Sequence, residues 1–406
     1  MKGFKVAYLY ALAGFSLLLL NGWRMVLSVF YSPLMRVFGL TAVTPVAAAS
    51  AVWGLASMLA SPIAGRVYDR KGPALALLAA SILQAISGLA VWLMRFYPWG
   101  SAQWLWYAAA AANGAIASLL MMSVSPMVIA LFPSKAGYAL AFTQTGNYLS
   151  FLVWSPIAYA LLASLDPFSV YAAFTAVSLA TTAVCAAAYR RVRPEASGRT
   201  SREKSSLGSP RMFLPLLVLV FEIAASSTIV LSFAAPIFEE ICPQWAPAAM
   251  AAAGLAQVAG AVAWGYLLER VDVLKLIPAT YALESASALL SAALFGTDAA
   301  LAAALLLLRF AAFAGEPLVH TMVVPKLFGK DAVGSLLGIQ MSVVMLSSVL
   351  APLAGAIARD AAGSYRASVL LSAFLSLAAT LNALPVVRSA AKAPHEPTSD
   401  RREAPC

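Results

Sequence analysis

Two short stretches, "GRVYDRKGP" at residues 65–73 and "GYLLER" at 265–270, decide how this chain folds. Each follows a long apolar run. Each carries a glycine, an acid four residues on, and then an arginine. A bilayer core takes about 20 apolar residues as a helix, so both stretches read as the polar ends of membrane spans. Working outward from them with the same ruler gives roughly twelve spans. They lie near 7–30, 44–65, 74–94, 103–131, 137–163, 168–189, 213–238, 246–267, 273–295, 299–325, 333–358 and 364–387.

The composition agrees. Of 406 residues, 62% are hydrophobic and only 11% charged, with a mean hydropathy of +0.83. A water-soluble domain cannot hide that much apolar surface. The fold class is therefore an all-α membrane protein. Lys2 and Lys5 ahead of an apolar run imitate a signal peptide, but eleven further spans point to a retained first helix. Segment 190–212, "RRVRPEASGRTSREKSSLGSPRM", is polar, basic and rich in Pro, Gly and Ser, and reads as a linker. The expected organisation is a first six-helix bundle over 1–189, a linker over 190–212, a second bundle over 213–387 and a disordered tail over 388–406.

The net charge of +10 is a topology signal. With the N-terminus placed in the cytoplasm, 21 of the 27 Lys and Arg fall on that side. Arg36, Arg95, Arg359 and Arg366 fall on the other, and Arg24 and Arg309 lie within spans. The expectation is a multi-pass protein of the plasma membrane with both termini cytoplasmic. The basic balance needs no nucleic acid to explain it. Cys185, Cys242 and Cys406 form no metal-binding spacing, and neither a phosphate-binding loop nor a nucleophile–base set is present. No cofactor, no metal and no enzymatic activity are expected.

The repeat extends beyond the opening pair. "LF" at 131–132 recurs at 327–328, Gln144 is matched by Gln340, and Pro156 by Pro352, all at one offset of 196 residues. Two related six-helix halves are the plan of many transporters, whose substrate site lies near mid-membrane between the repeats.

"GRVYDRKGP" resembles the loop motif between the second and third helices of the major facilitator superfamily. Gly65, Asp69, Arg70 and Gly72 match it, whereas Ala74, Leu75 and Ala76 stand where basic residues usually follow. Within that superfamily, "VFYSPLMRVFG" (29–39) and the "LLRF…LFG…G…P" pattern in 307–352 are similar to the monocarboxylate and oxalate/formate branch. The resemblance implies the major facilitator fold and alternating access by rocking of two bundles. It also implies that helices 1, 4, 7 and 10 line the cavity. Oxalate/formate exchangers hold a dianion with basic residues in the eighth and eleventh helices. Spans 246–267 and 333–358 contain neither Lys nor Arg, so that pair of cations has no counterpart here.

Charges within spans are costly and default to function. Arg309 lies near mid-membrane, and Glu316 lies seven residues on, about 10 Å deeper on the same face. His320 follows at i+4 from Glu316 and is within its reach, and Pro317 between them interrupts the helix. Arg309 either pairs with Glu222 or Glu284, which lie at similar depth, or binds an anionic substrate. The offset of 196 maps Arg309 onto Asn113. Arg24, with Asn21, Ser28 and Ser32 on one helical face, forms a cavity wall or snorkels to the outer interface. Gln144 and Gln340 line the path or bind neighbouring helices.

Candidate substrate-binding residues are thus Arg309, Arg24, Asn113, Glu222, Gln144 and Gln340. Glu316, His320 and Glu284 are candidates for handling protons, the alternative being a neutral Glu316 bonded to His320 or to the carbonyl freed at Pro317. Gly65, Asp69, Arg70, Gly72, Glu269 and Arg270 are candidates for a cytoplasmic gate. Tyr97, Trp99, Trp104, Trp106 and Tyr107 form an interfacial belt. The expected function is secondary transport of a small organic solute, a monocarboxylate or related anion, by proton symport or exchange, by a protein working as a monomer in the lipid bilayer. The alternatives are efflux of cationic or amphipathic compounds, and a non-transporting receptor.

Overall fold

The computed structural model describes residues 2–132, 136–191, 210–328 and 333–392. All the regular structure in them is helical. The expected linker, from 192 to 209, and the end of the expected tail, from 393, lie outside the described residues.

Twelve helices follow in chain order: α1 (Ala7–Phe38), α2 (Thr44–Lys71), α3 (Pro73–Phe96), α4 (Trp99–Leu131), α5 (Ala136–Leu162) and α6 (Pro167–Ala188), then α7 (Pro210–Ser232), α8 (Ala246–Leu268), α9 (Val273–Ala293), α10 (Ala299–Phe328), α11 (Val333–Ala362) and α12 (Arg366–Lys392). A short helix, Ala234–Ile241, extends α7. Eleven of them are long and apolar enough to cross a bilayer. The exception is α5, which is long enough but carries Thr143, Gln144, Thr145, Asn147 and Ser150 in two adjacent turns.

Most boundaries fall close to where the hydropathy expects them, though α2 runs on to Lys71 and α7 spans Pro210–Ser232, starting inside the expected linker and ending before residue 238. Three further differences stand out. First, α1 runs on past residue 30, through "YSPLMRVF", to a left-handed Gly39. Second, α12 continues to Lys392, so residues 388–392 are helix where a disordered tail was expected. Third, the aromatic belt divides. Trp104 and Tyr97 are exposed, but Trp106 is 1% exposed. Its indole N–H donates to Val46 O at 2.9 Å, and Tyr107 donates to Pro45 O at 2.8 Å. These two rings tie α4 to the start of α2.

Helices α1–α6 pack chiefly on one another, as do α7–α12. Across the halves, α2 lies along α11 and α5 along α8. Both crossings are close backbone contacts made at a glycine. A Cβ on Gly54 of α2 would stand 2.9 Å from Ser348 O, and one on Gly254 of α8 would stand 2.8 Å from Leu152 N. Pro156 and Pro352, matched by the repeat, both lie inside helices, in α5 and α11.

We call the face where α2 ends and α3 begins the terminal face, since α1 starts and α12 ends there, and the opposite one the distal face. On the distal side the halves share a single apolar core. Trp23, Phe30, Phe151 and Trp154 of the first half meet Phe233, Phe238, Phe310 and Tyr365 of the second. On the terminal side each half has a core of its own. One is built around Leu17, Ile116 and Met127, and the other around Leu219, Tyr281 and Val323. Among the described residues the halves are therefore joined distally and part toward the terminal face.

A candidate mid-membrane transport site

The two halves part at the depth of two polar networks. The first is built on a break in α1. After Asn21 the helix tightens into a 3-10 segment, Gly22–Phe30, with Val26 off helical geometry. A helix end leaves carbonyls without partners, which hydrocarbon does not forgive, and here side chains take them up. Trp154 Nε1 donates to Leu19 O at 2.8 Å, Ser178 Oγ to Leu20 O at 3.2 Å, and Arg24 Nη1 to Asn21 O at 3.3 Å. The break aims Arg24 inward. Its Nε donates to Asn113 Oδ1 at 2.8 Å and its Nη1 to Asn21 Oδ1 at 3.0 Å, with the guanidinium 4.6 Å from the Trp23 ring. Asn113 Nδ2 donates in turn to Tyr171 Oη at 2.6 Å, and Gln84 Nε2 to Asn21 Oδ1 at 2.7 Å. No carboxylate pairs with Arg24 among the described residues, and its Nη2 is buried without a partner.

The second network is built on a break in α10. Its first segment ends at Phe313 and the second starts at Glu316. Pro317 sits at the start of the second segment, where a missing N–H costs nothing. Arg309 Nη1 meets Glu284 Oε2 at 3.1 Å and donates to the Glu284 carbonyl at 3.1 Å, with both side chains at most 2% exposed. Its Nη2 donates to Ser226 Oγ at 2.7 Å. Ser227 Oγ lies 3.0 Å from Glu284 Oε2 and 2.8 Å from Glu316 Oε2. A hydroxyl has one hydrogen to give. It can satisfy both carboxyl groups only if one of them is protonated and donates to Ser227. Tyr148 of α5 lies within electrostatic reach of Glu316.

These networks sort the sequence candidates. Arg24 and Asn113 come together, as do Arg309, Glu284 and Glu316. The expected contact between His320 and Glu316 does not form. His320 Nε2 instead pairs with Tyr281 Oη at 2.5 Å, while Glu316 is taken by Ser227 of α7. Glu222 is not the partner of Arg309. It faces α12 and accepts two bonds of 2.9 Å from Asn382 Nδ2. Gln144 bonds within the first half, to Ser125 and Asn147. Gln340 is fully buried and its amide has no partner among the described residues. The stripe Asn21, Arg24, Ser28, Ser32 is not one cavity wall. Ser28 and Ser32 face the other half at the distal side, where they meet Ala235 N and Glu239.

In the gate motif, Gly72 has φ +79° and joins α2 to α3, a conformation that L side chains rarely adopt. A Cβ on Gly65 would meet nothing within 4 Å. Asp69 and Arg70 are exposed and make no ion pair among the described residues. Glu269 is likewise exposed, and Arg270 lies over the Tyr266 ring at 4.2 Å.

Sequence reasoning missed Ser226, Ser227, Tyr171 and Tyr281, whose hydroxyls are common in helix interiors. Gln84 is the one it had a signal for, the single amide in the third span.

Two repeated halves, parting around buried charge at mid-membrane, define a polytopic membrane protein of the transporter class. Residues 11–242 match the family model of the Major Facilitator Superfamily, and the chain belongs to that superfamily of membrane transporters. Solved structures share the fold. A D-xylose–proton symporter superposes with a TM-score of 0.75 at 18% identity, covering 91% of this chain and 95% of that one. The inward-open xylose transporter XylE from E. coli gives 0.74 at 15%, covering 92% and 95%. The nucleoside transporter NupG gives 0.69 at 12%, covering 94% and 98%. In sequence, the chain is 30% identical over 175 residues to "Probable anion transporter 3, chloroplastic" of Oryza sativa subsp. japonica. That match spans 40% of this chain and 31% of the rice protein.

Proposed function

We propose that the protein is a secondary active transporter of a small organic anion, such as a monocarboxylate, moved by alternating access and coupled to protons. Arg24 carries this reading. It is a mid-membrane guanidinium with four hydrogen bonds to neutral groups of the network, no carboxylate beside it among the described residues, and its Nη2 left without a partner. Removing a charge from water without a counter-charge costs several kcal/mol, and a substrate carboxylate would supply what the first half lacks. The sequence expectation gave Arg309 that role, but Glu284 already neutralises it, so the anion is assigned to Arg24. An unpaired cation also favours an anionic substrate over efflux of cations. The partial likeness to a protein named as an anion transporter points the same way.

The proton is assigned to the pair Glu284 and Glu316. Arg309 offsets one carboxylate, and Ser227 ties the second to the first. Both termini are placed in the cytoplasm by the distribution of Lys and Arg, which makes the terminal face the inner one. Substrate would enter the parting between the halves, meet Arg24 at its apex and leave after the bundles rock.

The test is uptake into proteoliposomes of labelled monocarboxylates, with dicarboxylates, sugars and lipophilic cations as competitors. Arg24→Gln is expected to cut carboxylate uptake by about 10–100-fold, the worth of a charged hydrogen bond. Glu316→Gln is expected to keep carboxylate exchange while abolishing the response to a pH gradient. Carboxylate uptake that survives Arg24→Gln, or that lipophilic cations compete away, defeats the anion assignment.

A further inference from the structure

The distal closure contains a helix cap supplied from the other half of the molecule. Helix α2 begins at Thr44, and its own N-cap residue, Val43, has no side chain to offer the first N–H groups. Asp360, in the last turn of α11, offers its carboxylate instead. Val43 N–H donates to Oδ1 at 2.8 Å, Thr44 N–H donates to Oδ2 at 2.9 Å, and Thr44 Oγ1–H donates to Oδ2 at 2.6 Å. Arg359 beside it donates to Thr41 O at 3.0 Å and to Asp360 Oδ1 at 3.0 Å, which orients the carboxylate. A carboxylate at a helix N-terminus is favoured both by the free N–H groups and by the helix dipole. A second clasp lies along the same seam, where Ser32 and Tyr159 of the first half donate to Glu239 at 2.5 and 3.0 Å.

We propose that Asp360 is the distal latch of the transport cycle, holding the distal side shut by capping α2 across the two halves. When the distal side opens, α2 must leave α11 and lose its cap, so the latch sets the balance between the two conformations. This rests on the alternating-access part of the function proposed above and on nothing about the substrate.

The molecule carries its own reporter. Cys242 is a free thiol, 7% exposed, in the core that the two halves share, and it is close enough to Tyr159 of the first half to interact with it. Cys185 is an equally buried thiol in the separate core of the first half. The full chain in detergent, without any substrate, is treated with a maleimide, and labelling of each cysteine is followed by peptide mass spectrometry.

Asp360→Ala is expected to raise the rate at Cys242 about 10-fold, in line with the loss of a good helix cap, and to leave Cys185 unchanged. Asp360→Asn keeps an oxygen that accepts from the N–H groups and is expected to stay near wild type. Thr44→Val removes one contact of the three and is expected to give an intermediate rate, which tests the latch even if Asp360→Ala does not fold. An unchanged rate at Cys242 in Thr44→Val and Asp360→Ala, an equal rise at both cysteines, or an Asn variant that opens as far as the Ala variant would each overturn the proposal.

Discussion

Each half of the molecule holds one arginine at mid-membrane, Arg309 fully buried and Arg24 partly so, and the two are treated differently. Arg309 has its counter-charge built in, with Glu284 at 3.1 Å and Ser226 at 2.7 Å. Arg24 has amides, a hydroxyl and an indole around it and, among the described residues, no acid. The repeat does not account for this, because it maps Arg309 onto Asn113, and the first half supplies its cation from α1 instead. A satisfied charge holds structure together. An unsatisfied one at the apex of a parting is a place for something that arrives from solution. On the function proposed above, the contrast separates a structural guanidinium from a ligand-binding one.

The sharpest way to break this contrast is to remove Glu284. Glu284→Ala leaves Arg309 buried and unpaired and is expected to cost about 3–5 kcal/mol, read as a large fall in thermal midpoint. Replacing both residues with leucine is expected to recover much of that loss, since a buried pair is worth little against apolar packing. Arg24→Met is expected to lower the midpoint much less, because it leaves hydrogen-bond acceptors without a donor but no partner orphaned as a charge. If Arg24→Met destabilises the protein as much as Glu284→Ala does, Arg24 is structural too and the two halves are alike.

The crossings between the halves offer a second comparison, one in which they should behave alike. Gly54 and Gly254 each let a helix of one half touch backbone of the other. Alanine at either position has only backbone or a rigid side-chain stem to push against. Each is expected to cost about 1–3 kcal/mol, as overpacking does, and to raise labelling at Cys242 by loosening the distal closure. A cost at one site and none at the other would mean that the halves do not hold each other symmetrically.

The sequence carried the number and place of the spans because hydrophobic length is a local property, and missed their ends where polar residues continue a helix, as at Lys71 and Lys392. The repeat was legible because Gln144, Pro156 and their partners share one offset, and both prolines fall inside helices. Pairing was legible only where it is local or forced. A partner for Arg309 had to come from the few mid-membrane acids, but nothing in the chain ranked Glu284 above Glu222. The i+4 rule joined Glu316 to His320, and the rule failed because partners from other helices, Ser227 and Tyr281, take the two side chains. The break in α1 at Gly22 had no mark that the chain's other glycines lack. Asp360 was invisible as a cap, since its partners lie more than 300 residues away.

The smallest effects belong to the caps at the two faces, and they sharpen the comparison by showing what a charge is worth in water. Asp166 caps α6 on the distal face and Asp272 caps α9 on the terminal face. At Asp166, partial burial pushes the carboxyl up, but hydrogen bonds from Ser169 and Phe168 and the nearby Arg95 outweigh it and bring it below the ordinary value. At Asp272 the Leu274 N–H bond, with Lys326 at 3.3 Å, does the same. A carboxyl held low in the folded state contributes stability that is fully present above its unfolded value, about pH 4, and is lost as pH falls through the folded one. Both are largely solvent-exposed, so salt screens them. Asp166→Ala and Asp272→Ala are each expected to cost about 0.5–1 kcal/mol at neutral pH, and to cost progressively less as the pH is lowered below about 4. Denaturation midpoints of the two variants and the wild type, measured from pH 7 down, check this. A cost that persists unchanged at low pH would mean that these side chains act through packing and not through charge, unlike every acid assigned a role deeper in the membrane.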